Sequence, residues 1–238
     1  MIACGCHVCT SPDPKDKRLR SSILVESGTT TLVVDTTPDF RTQMLREHVN
    51  KLDAVIYTHL HKDHIAGLDD IKAYNFFQKK AIDIYANELT QSALKKEFSY
   101  IFADKKYPGV PSVNVHTIAD ETFLAGDIPV TTVLVYHLHM PVLGFRFGKF
   151  TYITDANRID QAEKDKIQGS DTLVINALRK TEHISHFSLQ EAITLIQELN
   201  IPNGYITNIS HQLGTHEEIN NELPRNIQLA WDGLKLNF

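Results

Sequence analysis

The chain has 238 residues, of which 42% are hydrophobic and 22% charged, with a formal charge of −5. That length can bury a substantial core without disulfide staples and reads as one domain over residues 1–238. The acidic balance speaks against a general polyanion binder, and neither a bilayer-spanning apolar run nor a signal-peptide pattern is visible.

Residues 22–26 and 31–35 are β-rich runs around Ser27-Gly28 and predict a hairpin. Residues 38–49 predict a helix, with Phe40, Met44 and Leu45 at helical spacing. Residues 53–57 form a short buried strand that leads into a histidine-rich turn, and 65–77 then look helical. A strand over 82–86, an amphipathic helix over 88–102 and a Pro/Gly-broken loop over 105–111 follow. Residues 113–116, 129–137, 144–147 and 150–154 continue the β pattern. Thereafter come a helix at 159–167, a strand at 172–177, a helix at 188–199 capped by Ser188, and a strand at 204–207. A short helix at 216–223 and strands at 227–231 and 234–236 close the series. Strands interrupted by helices, without strict βαβ alternation, predict two sheets with helices outside them.

All three cysteines lie within Cys4-Gly5-Cys6-His7-Val8-Cys9. An odd, crowded set is a poor disulfide framework, but three thiolates at this spacing suit a soft metal such as zinc. A reducing cytoplasm fits best. A second cluster, His59-Leu60-His61-Lys62-Asp63-His64, follows directly on a predicted strand, so its side chains project from a strand-end loop. His59 and His61 can face one ion from extended chain, while Asp63 and His64 can face a second where the chain curls into a helix. Imidazole nitrogen with carboxylate oxygen suits zinc, manganese or iron(II). Lone histidines are usually core or surface residues; three with an aspartate in six positions are hard to explain that way.

At these residues the chain resembles the metallo-β-lactamase-fold hydrolases, through His-x-His-x-Asp-His after a strand and its continuation Ile65-Ala66-Gly67-Leu68-Asp69-Asp70. More specifically it is similar to the PhnP-type cyclic-phosphate phosphodiesterases. That likeness is carried by Cys4-x-Cys6-x-x-Cys9, by His137 with Gly144-Phe145-Arg146-Phe147, by Tyr152-Ile153-Thr154-Asp155, and by His186 followed by Ser188-Leu189. It covers nearly the whole chain. It implies an α/β (α+β) chain with the four-layer αββα sandwich of that superfamily and two divalent ions, zinc or manganese, in the active site. His59, His61 and His137 would hold one ion, Asp63 and His64 would face the other, and Asp155 would bridge both. His139 is less suited than His137, because the pattern places its ligand seven residues before the glycine. The resemblance also implies a structural zinc held by Cys4, Cys6, Cys9 and His211, a closed set with no open position for water. His7, inside the same loop, is a weaker competitor for that ion.

The chain departs from the family pattern twice. Where relatives read Thr-His-x-Ser-His, this chain has Thr207-Asn208-Ile209-Ser210-His211, so the expected second-ion ligand is Asn208, whose amide is a weaker partner for zinc than imidazole. The cysteines also begin almost at Met1, where relatives carry a strand and a Gly-rich turn; loss of such a strand would expose a sheet edge.

The implied reaction is attack of metal-activated water on a small phosphodiester, cyclic or open, or a nucleotide. His186 would donate a proton to the leaving alkoxide, its type titrating near about 6.5, and Asp63 could ligate or orient the nucleophile. Arg18 and Arg20 could contact phosphate, although so polar a run is more often a solvated face. Tyr107-Pro108-Gly109 could lie over a cleft. Other readings stay open: an RNA 3′-processing nuclease, a lactonase or thioesterase, or a metal-binding protein impaired at Asn208. The expected partner is a small phosphodiester; neither a membrane nor a nucleic-acid polymer is expected, and a homodimer stays open.

Overall fold

Apolar β-branched runs become strands, and stretches with helical apolar spacing become helices, over residues 1–238 of a computed structural model. The chain divides into two units, one formed by Met1–Leu19 with Thr131–Phe238 and the other by Arg20–Val130. Helix α1 (His7–Thr10) opens the first unit beside the cysteines.

The Arg20–Val130 unit begins with an antiparallel hairpin of β1 (Ile23–Glu26) and β2 (Thr31–Val34), as the two β-rich runs predict. Helix α2 (Phe40–Arg46) buries Phe40 and Met44 but leaves Leu45 exposed, so the buried stripe is narrower than its apolar spacing predicts. Strand β3 (Ala54–Ile56) runs straight into the histidine motif and α3 (Lys62–Ile65). The predicted helix over 65–77 is broken: a 3₁₀ turn, Leu68–Ile71, separates α3 from α4 (Lys72–Gln78). Gly67 sits at the break, where a Cβ would lie 2.3 Å from the Thr37 carbonyl oxygen and 2.7 Å from the Phe40 Cβ. Strand β4 (Ile82–Ala86) leads to α5 (Glu88–Glu97), capped by the Asn87 side chain accepting from the Thr90 N–H. The helix predicted to run to 102 stops at Phe98, whose ψ of 45° is non-helical, and restarts as α6 (Ser99–Phe102). Strands β5 (Val113–Thr117) and β6 (Thr122–Ala125) follow, the latter not predicted. The sheet order is β1-β2-β3-β4-β5, parallel from β2 to β5. Its core includes Val33, Phe40, Val55, Tyr57, Ile65, Leu68 and Ile84.

The boundary between units falls inside β7 (Ile128–His137). The first unit continues with β8 (Met140–Phe147), β9 (Phe150–Ile153), α7 (Gln161–Ile167), β10 (Thr172–Asn176), α8 (Leu189–Glu198), β11 (Asn203–Thr207), α9 (His216–Glu222) and β12 (Ile227–Leu229). Its strands lie in the order β12-β11-β10-β9-β8-β7, antiparallel from β7 to β9 and parallel from β9 to β12. Ser188 and Glu191 close a full capping box on α8, confirming the predicted start. A strand over 234–236 does not form: the chain turns at Gly233, with φ 87°, and the segment pairs with no strand. The core of this unit gathers Val133, Val135, Ile153, Leu173, Ile175, Ile196 and Ile206. No helix is long and apolar enough to cross a membrane.

Candidate metal centres

In the Arg20–Val130 unit, β2 is followed by the fully buried Asp35 and β3 by Tyr57-Thr58-His59, and these two parallel strand ends lie side by side. His59 Nε2 and His61 Nδ1 stand 3.1 Å apart. That is close to the edge of a tetrahedron around a cation bound at about 2.0–2.1 Å. The Asp63 Oδ2 lies 3.9 Å from the His64 Nε2, so these two side chains also converge. His59 and His64 are buried, with ring centroids 4.2 Å apart. The imidazoles are held from behind: Thr58 Oγ1 lies 2.9 Å from His59 Nδ1, and Asp35 Oδ2 lies 2.7 Å from His64 Nδ1. Burial pushes the Asp35 carboxyl up, and the bonds from His64 and Thr58 oppose that rise. Arg20 is exposed, as so polar a run suggests, and its guanidinium lies 3.3 Å from Asp63 Oδ2.

In the other unit, His137 ends β7 and donates from Nδ1 to the Ser185 carbonyl at 2.8 Å, which puts the lone pair of the neutral ring on Nε2. Asp155 follows β9 in a left-handed conformation, φ 51°. The next residue is clamped there by Asn176, which accepts from the Ala156 N–H at 2.8 Å and donates to its carbonyl at 2.9 Å. His137, Asp155 and His186 bring one ligand atom each to within 4.8 Å of one another. His186 Nδ1 lies 3.7 Å from Asp155 Oδ1, and its ring centroid lies 4.5 Å from that of His137. His139 is exposed on the β7–β8 turn, away from this set. Asn208, just beyond β11 with φ 51°, donates from its amide to Asp155 Oδ2 at 2.9 Å.

The thiolate cluster belongs to the same unit. Cys4, Cys6, Cys9 and His211 offer four donor atoms all within 4.8 Å. His211 Nδ1 lies 3.3 Å from Cys4 Sγ and 3.4 Å from Cys6 Sγ. A tetrahedral zinc with bonds of about 2.0–2.3 Å has similar edges. The set therefore fits a zinc ion, and so do the histidine sets. The His211 hydrogen bond lowers the Cys6 thiol to about 6. His7 stands apart from the four donors, 3.4 Å from Glu218. Arg18 is held by the Lys15 carbonyl and lies 3.4 Å from His216 Nδ1, in a structural corner of this unit. Tyr107 is exposed on its loop.

The sequence reading did not single out Asp35, Thr58 or the Ser185 carbonyl. The first had a signal: a carboxylate closing the apolar run Thr31-Leu32-Val33-Val34 at a strand end beside the histidine strand. A backbone acceptor such as Ser185 leaves no side-chain signal at all.

Two sheets with helices between their strands, and strand ends that carry clustered histidine and aspartate side chains, define the metallo-β-lactamase fold. The family model described as a β-lactamase superfamily domain matches residues 30–207. The chain is 41% identical to a crystal structure described as a new diphosphatase from the PhnP family, covering 100% of this chain and 91% of that one, with a TM-score of 0.94. This protein belongs to the β-lactamase superfamily and, within it, to the PhnP family. Zinc-bound PqqB from Methylobacterium extorquens, 21% identical over 100% of this chain and 95% of that one with a TM-score of 0.78, shares the fold. Among curated proteins, an octanoyltransferase from Porphyromonas gingivalis is 33% identical over 98% of this chain and 48% of its own length. The exodeoxyribonuclease YycJ of Bacillus anthracis is 27% identical over 57% of this chain and 48% of its own length. The chain thus spans about half the length of the curated relatives it matches.

Proposed function

We propose that the protein is a metal-dependent hydrolase of a small phosphodiester or diphosphate linkage. The observation that carries this reading is the ring geometry of His59 and His61, two imidazole nitrogens 3.1 Å apart behind which Thr58 engages the other His59 nitrogen. The PhnP-family diphosphatase supports a phosphorus–oxygen bond as the target. In this reading His59, His61, Asp63, His64, His137 and Asp155 are ligands, Asn208 is a weak one, and Cys4, Cys6, Cys9 and His211 hold a separate structural zinc. A pair of divalent ions, when bound, supplies water of lowered pKa and charge neutralisation for the non-bridging oxygens.

The chain's own residues prepare that chemistry. The Ser185 carbonyl keeps a proton on His137 Nδ1 and so the lone pair on Nε2. Arg20 pairs with Asp63 at the exposed edge of this set. In this reading His186, 3.7 Å from Asp155, passes a proton to the departing oxygen.

The test is turnover of bis-p-nitrophenyl phosphate, a cyclic nucleotide and a diphosphate diester in manganese-supplemented buffer, with a lactone and an octanoyl ester as comparison substrates. Phosphorus esters or anhydrides are cleaved, and His59→Ala lowers the rate by at least about a hundredfold. Folded Cys6→Ser retains the chemistry. Cleavage of the lactone or octanoyl ester alone would defeat the proposal.

A further inference from the structure

Between β10 and α8 the chain crosses residues 177–188 without helix or strand, and His186 lies near the far end of that loop. Backbone bonds close the ends of the loop. The Leu178 N–H donates to the Phe187 carbonyl at 3.0 Å, that of Leu189 to Arg179 at 2.9 Å, and that of Phe187 to Ala156 at 2.7 Å. No backbone–backbone hydrogen bond reaches residues 180–185. Side chains take their carbonyls instead. Arg179 donates from Nη2 to Glu182 at 2.7 Å and from Nε to Thr181 at 3.3 Å, and its Nη1 donates to Gln212 Oε1 at 3.3 Å. Asn157 donates to the Ile184 carbonyl at 3.0 Å while its Oδ1 accepts the Leu138 N–H at 2.8 Å, which ties the loop to the β7–β8 turn. His137 takes the next carbonyl, that of Ser185. Ile184, the one apolar side chain of residues 180–185, is 71% exposed, so apolar packing does not fix this stretch. A segment with neither ladder nor core opens readily unless side chains hold it. Arginine suits that task, because its planar fork loses little freedom for each bond it makes.

We propose that Arg179 and Asn157 are positioning residues that clamp this loop and so fix where His186 delivers its proton. The inference rests on the reading of His186 as the proton donor. In that step the leaving oxygen keeps the electron pair of the broken phosphorus–oxygen bond and takes the proton of His186. A donor must come within about 2.6–3.2 Å of the atom it protonates, and a displacement of about 1 Å can cost about a hundredfold in rate. Neither Arg179 nor Asn157 touches the substrate in this scheme; each holds a carbonyl just ahead of the donor. The effect therefore falls on leaving groups that need a proton. The sugar alkoxide released from a cyclic nucleotide needs one, whereas p-nitrophenolate departs without it.

The experiment compares the native protein with Arg179→Met and Asn157→Asp in manganese-supplemented buffer. Turnover of a cyclic nucleotide and of bis-p-nitrophenyl phosphate is measured for each, together with amide hydrogen exchange across residues 180–186. Arg179→Met keeps the side-chain stem and removes all three contacts. Asn157→Asp keeps the acceptor for the Leu138 N–H and loses the donor for the Ile184 carbonyl. In Arg179→Met, kcat for the cyclic nucleotide falls by about a hundredfold, while its KM and the turnover of bis-p-nitrophenyl phosphate stay near native. Exchange over residues 180–186 accelerates. Arg179→Lys, which can still reach one carbonyl, recovers part of the rate. Asn157→Asp shows the same split between the two esters, and it carries the test should Arg179→Met fail to fold. An unchanged cyclic-nucleotide rate, equal losses for the two esters, or native exchange protection in a folded variant would overturn the inference. A native chain that cleaves neither ester defeats the phosphodiester reading itself. In that case, or where only bis-p-nitrophenyl phosphate is cleaved, exchange alone decides: faster exchange upholds the clamp and native protection refutes it.

Discussion

At the scale of single residues, the pair Asn208 and Asp155 departs furthest from what the histidine-rich motif leads one to expect. Both have φ of 51°, a region that asparagine, aspartate and histidine tolerate better than most residues. Asn208 points its amide donor at Asp155 Oδ2, at 2.9 Å. Histidine can occupy the same backbone conformation and would bring an imidazole lone pair instead. We expect Asn208→His to raise metal content by up to about one equivalent per chain, read by elemental analysis. A native chain already holding two ions besides the thiolate-bound one would contradict this. Cys6 allows a pH prediction. Its thiolate is favoured chiefly by the His211 hydrogen bond, which lowers it from 9.0 to about 6. A depressed folded value means the stabilisation is complete above the unfolded value and is lost as pH falls through about 6. In the metal-free protein, Cys6 should therefore alkylate at pH 7 and lose reactivity below about pH 6, whereas Cys4, whose thiol is raised, needs more alkaline conditions. Peptide mapping by mass spectrometry distinguishes them, and equal rates at pH 7 would count against the His211 contact.

At the scale of elements, the hairpin, the strand that feeds the histidines and the capped start of α8 were all legible. Each rests on local chemistry: β-branched runs around Ser27-Gly28, an apolar run before His59, and Ser188 three residues ahead of Glu191. The misread elements rest on non-local packing. The helix expected through residue 77 breaks because α3 and the following turn press against the chain from Thr36 to Phe40, and only glycine fits at position 67. Its φ of −88° is ordinary, so the constraint is space and not backbone conformation. Gly67→Ala should accordingly cost about 1–3 kcal/mol by overpacking, measured by urea unfolding. An unchanged midpoint would show that the Thr37 carbonyl and Phe40 can yield. Strand β6 was missed because its pattern is largely exposed and carries little apolar alternation.

At the scale of the molecule, each of the two units has its own apolar core, and the thiolate cluster ties residues 4–9 to His211 within one of them. The two segments are far apart in sequence, so closing that loop removes much unfolded-state freedom, and a metal bound only by the folded chain adds its binding energy to stability. Removing zinc with a strong chelator should lower the Tm, and Cys6→Ser should lower it without a further drop on chelation. A Tm indifferent to both would mean that the cluster holds no structural ion. The sequence by itself determined the candidate donor types, their order along the chain and the family, because a run of three histidines and an aspartate at a strand end is a local pattern. Only the tertiary structure decided which nitrogen of each ring is held. That choice is made by groups brought from other strands and loops, namely Asp35 for His64 and the Ser185 carbonyl for His137. Hydrogen bonds between distant segments exist only once the backbone has folded, and no spacing in the chain encodes them.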